Sequence, residues 1–362
     1  MGDSKRFWVA FNLVHGIGAV RFASLLESFG DLERAWSASP DDLLACGIGP
    51  QAVRRIIEAR RSLDLDAEMA RLEQSGAQLL TWMDDSYPSR LREVPAAPPV
   101  LYTRGHILPG DRNAVAVVGT RRPSPYGQSV ARDLGAALGV HGVTVISGLA
   151  RGIDAIAHRA ALDAGGRTLA VLGSGLDEIY PAEHRRLAEE VAANGALVTD
   201  YSLGTRPEAA NFPPRNRIIS GLSRAVVIVE AGEESGALIT ARFAADQGRD
   251  VFVVPGSIYS RASRGTNRLL QEGAAPMLTP DDVLEAVRPR SSEDFAPMEL
   301  AEPDDPIERA VLRLLSAEPA HVDDLAARAG EPIAQVTAAL SLLELRGLIH
   351  HVGGMHYVRA RS

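Results

Sequence analysis

Six short apolar runs punctuate the middle of the chain, at residues 115–118, 143–147, 168–172, 197–199, 225–229 and 251–254. Most are β-branched and lack polar alternation, the pattern of strands covered on both faces. Between them, residues 126–138, 154–162 and 238–247 carry apolar positions at helical spacing. This alternation predicts a parallel, doubly wound sheet with helices on both faces, an α/β domain of extended Rossmann type.

The two ends read differently. His15-Gly16-Ile17-Gly18 precedes a helical pattern at 20–29, and Cys46-Gly47-Ile48-Gly49 precedes another at 51–61. Each Gly-Ile-Gly turn would join two helices, with the Ile plugging the gap between them, the signature of a helix-hairpin-helix (SAM-like) all-α domain. Such turns hold phosphate in DNA-binding proteins, and Arg54, Arg55, Arg60 and Arg61 lie near the second copy; a spacer module is the plainer reading. A proline-rich connection follows, with Pro88, Pro95, Pro98, Pro99 and Pro109. Past residue 288, prolines among serines and acids predict a linker. Helical patterns at 307–315, 322–329 and 333–346 then lead to two strand-like runs around Gly353-Gly354, which favours a tight hairpin turn. The expected organisation is therefore residues 1–80 helix-hairpin-helix, 81–288 Rossmann-type, 289–306 linker and 307–362 winged helix.

The chain has 362 residues, 46% hydrophobic, enough to build several cores. No apolar run is long enough to span a bilayer, and residues 1–5 lack the layout of a secretory signal. Cys46 is the sole cysteine, which rules out an intrachain disulfide and a cysteine-rich metal site. A cytoplasmic protein without membrane contact is expected. The net charge of −8 excludes an all-over basic coat for nucleic acid, though not a local groove where arginines converge.

Ligands of an open α/β sheet sit at the carboxyl ends of its strands, and those loops are rich in anion-binding chemistry here. The first predicted strand runs into Gly119-Thr120-Arg121-Arg122, the second into Ser147-Gly148-Leu149-Ala150-Arg151, and the third into Gly173-Ser174-Gly175. Glycine lets backbone amides approach an anion, and arginine adds a bidentate fork. Asn211-Phe212-Pro213-Pro214-Arg215-Asn216-Arg217 can stack a base and hold its flanking phosphates, and Ser235, Gly236 and Thr240 open a further helix. Any one of these loops could be ordinary turn and cap chemistry. Together they suit a ligand carrying several phosphates.

Enzyme readings fare less well on the same residues. There is no Gly-x-x-x-x-Gly-Lys-Ser/Thr, and Glu178 stands where a dinucleotide fingerprint needs its last glycine. Ser147, Asp154 and His158 look like a compressed triad, but Asp154 and His158 are four apart on one helix and read more simply as a helix-stabilising pair. No nucleophile elbow surrounds Ser147, and no cluster suggests a metal. No cofactor is expected.

The loops resemble the signatures of the DNA-processing protein A family (DprA, also called Smf). The likeness runs through 117–127, 147–158, 173–177, Tyr180-Pro181, 212–217, 235–242, 254–256 and 265–267, and covers about residues 80–285. Asp200-Tyr201 departs from it, since the family more often has Glu before the aromatic. The resemblance implies a non-enzymatic, dimeric protein that binds single-stranded DNA and loads the RecA recombinase onto it during natural transformation, displacing single-strand-binding protein. It places the DNA groove at Gly119, Thr120, Arg121, Ser147, Gly148, Arg151, Phe212, Arg215 and Asn216; the reading of the loops adds Arg122, Gly173, Arg217, Ser235, Gly236 and Thr240. A nucleotide-cleaving phosphoribohydrolase with Glu230 as acid or base is the competing class, although the Pro-Gly-Gly-x-Gly-Thr loop expected of one is absent. A nucleotide-sensing module is a third reading. In the winged helix, the sparse charge of helix 333–346 favours protein contact over duplex reading.

Overall fold

A computed structural model describes residues 4–288, 303, 305–316, 318–346 and 348–359. The chain forms two compact units that divide after Arg288. Most of the expected linker, 289–302 and residue 304, lies outside the described residues.

All six apolar runs become strands, each within a residue of its expected bounds. In chain order the sheet comprises β1 (Gln78–Thr81), β2 (Val100–Gly105), β3 (Ala114–Val118), β4 (Thr144–Ser147), β5 (Thr168–Val171), β6 (Ala196–Thr199), β7 (Ala225–Ile228), β8 (Asp250–Val253) and β9 (Ala275–Pro276). Among the described residues these make one nine-stranded sheet in the order β1-β2-β6-β5-β4-β3-β7-β8-β9. From β3 to β9 the pairing is parallel, while β2 pairs antiparallel with both β1 and β6. The chain steps outward from β3 through β4 and β5 to β6, then returns to lay β7 on the other side of β3. The crevice between β3 and β7 is the topological switch point where α/β sheets bind ligands.

Helices Pro125–Val140, Ile153–Asp163, Phe212–Leu222 and Ala237–Asp246 cover the two faces, over fully buried Val115, Val117, Val145, Val226 and Ile228. The amino-terminal helices add to this body. Helices Lys5–Leu13 and Ala19–Phe29 flank the first Gly-Ile-Gly turn, and Pro40–Ala45 and Pro50–Ser62 flank the second. Ile17 and Ile48 are buried as plugs. Trp8 stacks on Phe22 at 5.8 Å between centroids, and both rings meet Trp82 at 6.3 Å. Their core continues into the sheet through Tyr102, Leu149, Leu172 and Leu197. Near residue 80, where composition changes, the chain already runs as β1. Asn12 Nδ2 donates to the Asp200 carbonyl at 3.2 Å, and Arg71 pairs with Asp177 at 3.0 Å, so the helices also brace two loops at the carboxyl edge of the sheet.

The second unit has helices Pro306–Leu314, Val322–Ala329 and Ile333–Leu345 with strands β10 (Ala320–His321), β11 (Ile349–Gly353) and β12 (His356–Arg359), the antiparallel order being β10-β12-β11. The hairpin turn falls one residue later than the Gly353-Gly354 pair suggests. Gly354 and Met355 take φ of 57° and 61°, the left-handed region the two-residue turn requires, while Gly353, at 96°, follows a register shift and pairs with His356 at the end of β11. Val311, Leu325, Val336, Leu340 and Ile349 are fully buried in its core. Arg346 is engaged with Glu308 at 2.8 Å. Among the described residues, no helix is long and apolar enough to cross a membrane.

Candidate nucleic-acid interface

The switch-point crevice opens into a cleft of about 760 Å³. Gly119, Thr120, Arg121, Arg122, Phe212, Arg215, Asn216, Ser235, Gly236 and Thr240 all line it, although they come from three separated parts of the sequence. Gly148 and Arg151 line an adjoining recess that shares Arg121, Tyr180, Phe212 and Arg215 with the cleft. The helices Phe212–Leu222 and Ala237–Asp246 begin at Asn211 and Gly236, neither of which supplies a side-chain cap. The first turn of helix Phe212–Leu222 contains Pro213 and Pro214, which carry no amide hydrogen. In helix Ala237–Asp246 the amides of Ala237, Leu238 and Ile239 already donate to Ser235 Oγ, the Ser235 carbonyl and the Gly236 carbonyl, so anion binding in the cleft rests on the arginines.

Arg121 and Arg122 are exposed and make no ion pair among the described residues. The Arg121 guanidinium lies 5.7 Å from the centroid of Phe212, and that of Arg215 is also at 5.7 Å. Tyr180 approaches the same ring at 5.8 Å, tilted by 42°. A half-buried aromatic is thus gripped by two cations and a second aromatic. The segment holding Phe212 is not one of the loops, as its place among them in the sequence suggested. It is the first turn of a helix, where Pro213 and Pro214 fit because those amides have no intrahelical partner.

The arginines of this segment have distinct situations. Arg215 is 5% exposed. One Nη donates to the carbonyls of Gly148 (2.9 Å) and Val171, while Nε donates to Asn216 Oδ1 at 3.2 Å. Burial lowers its pKa to about 10, opposed by nearby Asp154, so it stays charged at neutral pH. A guanidinium this occupied positions the cleft floor rather than clamping a mobile phosphate. Arg217 is directed elsewhere, pairing with Asp200 at 2.7 Å and donating to the Ala96 carbonyl at 2.6 Å, and it does not line the cleft. Arg151 is exposed and paired with Glu183.

Two further candidates serve the scaffold. Ser147 is fully buried and its hydroxyl donates to the Val117 carbonyl at 2.6 Å, tying β4 to β3. Gly173 makes room for Phe212: a Cβ there would lie 2.8 Å from the ring. Gly148 does the same for Arg215, whose Nη2 would be 2.7 Å from an added Cβ. Sequence reasoning passed over Tyr180 as a site residue; its signal was a second aromatic just past a glycine-rich loop, and the fold leaves it 39% exposed.

Ser147, Asp154 and His158 do not form a triad, and Asp154 and His158 do not pair. Asp154 accepts from the amides of Gly148 (3.1 Å) and Ala150 (3.3 Å), shaping the turn after β4. Burial pushes its pKa up, with Arg215 opposing. His158 meets Thr168 Oγ1 at 2.6 Å through Nδ1; that hydroxyl donates to the Val145 carbonyl, so Nδ1 carries the proton. Burial lowers the His158 pKa from 6.5 to about 3, helped by His184 and Arg215. The unfolded chain takes up this proton first as pH falls. Stability is therefore untouched by His158 above its unfolded value and is lost between 6.5 and 3. About 2 kcal/mol should disappear between roughly pH 8 and pH 5. Asp154 acts in the opposite sense, so urea titrations should compare the protein with His158→Gln; parallel pH profiles would refute the assignment.

Glu230, the acid of the competing enzyme reading, is 3% exposed and already committed. Its two carboxylate oxygens accept from Ser124 Oγ (2.6 Å) and the Ser124 amide (2.8 Å). The site it could serve as acid or base is occupied by the start of helix Pro125–Val140.

A family model described as DNA recombination-mediator protein A matches residues 78–288, and one described as DprA winged helix domain matches 295–355. The chain is 37% identical to Protein Smf of Synechocystis over 99% of its own length and 100% of that protein, and 39% identical to Protein Smf of Escherichia coli over 86% and 84%. Among solved structures it resembles DNA processing protein A of Streptococcus pneumoniae, with a TM-score of 0.69, 34% identity, and 77% and 97% of the two chains covered. DNA processing protein A of Helicobacter pylori, whose structure is described as revealing a single-stranded DNA binding mode, matches with a TM-score of 0.53 and 31% identity over 58% and 95%. With signatures, fold and both domain models in agreement, the chain belongs to the DNA recombination-mediator protein A family.

Proposed function

We propose that the switch-point cleft binds single-stranded DNA and that the chain acts, without a catalytic step, as a mediator that loads RecA onto incoming strands during natural transformation. The observation that carries this reading is the exposed, ion-pair-free Arg121 held over the half-buried Phe212 ring in the cleft. Phosphates would lie against Arg121 and Arg122, with a base against Phe212. The single-stranded DNA binding of the Helicobacter relative supports the assignment. A homodimer handing DNA to RecA and displacing single-strand-binding protein completes the proposal.

Arg121→Ala should weaken binding of labelled oligo-dT at least tenfold, since a charge-assisted contact is worth about 1.5–3 kcal/mol. The melting temperature should hold, because the side chain is exposed. Affinity should also fall steeply with salt. Unchanged affinity in the folded variant would remove Arg121 from the interface. RecA loading is tested separately, by whether the protein restores RecA ATPase on strands precoated with single-strand-binding protein.

A further inference from the structure

The opposite edge of the sheet, where the parallel strands begin, gathers four arginines. Arg112 stands shortly before β3, Arg224 immediately before β7 and Arg249 immediately before β8. Ala225 of β7 pairs with Asp250 of β8, so Arg224 and Arg249 occupy adjacent register positions, about 4.8 Å apart. Arg90, on the short helix Ser89–Arg92, completes the group. Its Nε donates to the Arg112 carbonyl at 3.3 Å, and Arg249 Nη2 donates to the Arg90 carbonyl at 2.9 Å.

The four guanidiniums have more donors than acceptors. None forms an ion pair among the described residues, and Arg249 Nε is buried with no hydrogen-bond partner there. The carboxylate whose charge acts on both Arg90 and Arg249 is that of exposed Glu93. Burial lowers the Arg90 pKa, and Arg249, Arg224 and Arg112 lower it further. Cations held together in this way are relieved by a bound anion, and planar guanidiniums match phosphate oxygens two at a time.

Beside them lies a cup of about 140 Å³, walled by Tyr87, Pro88, Ile107, Leu108, Leu169 and Leu222. Arg90 and Arg112 stand on its rim with Ser86 and Ser89, and so does one carboxylate, Asp85. Asp111 also reaches the cup, but its oxygens are taken by the Leu108 amide, Thr144 and Arg167. An apolar slot of single-ring size bordered by arginines and hydroxyls has the make-up of a site for a ring that carries a phosphate.

We propose that this amino-terminal edge is a second site, which takes a nucleoside 5′-phosphate with its base in the cup and its phosphate among Arg90, Arg112, Arg224 and Arg249. The phosphate could belong to a free nucleotide or to the 5′ end of a DNA strand. The site lies at the other end of the strands from the cleft and does not depend on the cleft reading.

The test titrates the full chain with dTMP, and with oligo-dT of one length bearing either a 5′-phosphate or a 5′-hydroxyl. The variants are Arg112→Gln/Arg224→Gln, whose side chains make no hydrogen bonds among the described residues, and Arg121→Ala as the cleft control. The double variant is expected to lose at least tenfold in dTMP affinity, or to erase a preference for the phosphorylated strand, while Arg121→Ala leaves that quantity unchanged. Sensitivity to dTMP alone assigns the site to free nucleotides, and an erased preference assigns it to strand ends. If the folded double variant matches the parent on all three ligands, the site does not exist. A result in which only Arg121→Ala abolishes dTMP binding likewise overturns it, by placing the nucleotide in the cleft.

Discussion

Arg215→Ala is expected to destabilise the protein by about 3–5 kcal/mol, the cost of breaking a buried charge arrangement from one side. The side chain is 5% exposed, and removing it strands the Gly148 and Val171 carbonyls together with Asn216 Oδ1. It also leaves buried Asp154 without the cation that opposes the upward push of burial on its pKa. Arg215→Lys should recover only part of this, because a single ammonium cannot reach acceptors on β5, the turn after β4 and the helix's own next residue. Urea unfolding measures the loss. A folded Arg215→Ala protein within about 0.5 kcal/mol of the parent would show that the guanidinium is not the keystone of the cleft floor. Loss of DNA affinity in this variant would follow from the collapsed floor, so it carries no information on direct contact.

Phe212→Ala should reduce oligonucleotide affinity by between tenfold and a hundredfold, from the roughly 1–3 kcal/mol of base stacking and the loss of the surface that orders Arg121. Some stability should go as well. The ring packs over Gly173 and beside Tyr180, yet it is only half-buried, so the loss should fall well short of the ~3–5 kcal/mol of a fully buried Phe→Ala change. Phe212→Leu separates the two contributions. It keeps apolar volume against Gly173 while removing the π face used by both a base and the two guanidiniums. Weak binding at a nearly parental melting temperature is expected. If Phe212→Leu binds oligo-dT as tightly as the parent, the ring packs and does not stack.

The parallel strands and the loops after them are legible in the sequence because strands covered on both faces leave unbroken apolar runs, and because glycine beside arginine is conspicuous. β2, β1 and β9 are not. β2 alone has the composition of a strand, but it sits just behind Pro98 and Pro99 in what reads as a connection. β9 spans only Ala275–Pro276. The cleft residues are legible as a set and less so one by one. Arg121, Arg215 and Arg217 look alike in sequence, yet one faces solvent, one is sealed in the floor and one is locked to Asp200, because helical rotation separates positions 215 and 217. Gly173 and Ser147 lie in anion-type loops and serve as space and strap, roles set by Phe212 and by the carbonyl of β3 across the sheet. The amino-terminal helices read as a free-standing module since nothing in their own sequence announces Tyr102, Leu172 or Leu197 as partners.

That shared core has a consequence for how the chain is made. The aromatic helices and β2 emerge from the ribosome early, but β2 pairs with β6, whose residues come after three further strands. At synthesis rates of roughly 5–20 residues per second, the apolar faces of Trp8, Phe11 and Tyr102 wait on the order of ten seconds for Leu197 and Leu203 to close over them. During that interval the nascent protein presents a sticky, half-finished surface, and chaperone demand should concentrate there rather than at the winged helix, which follows in the chain and closes on its own local contacts.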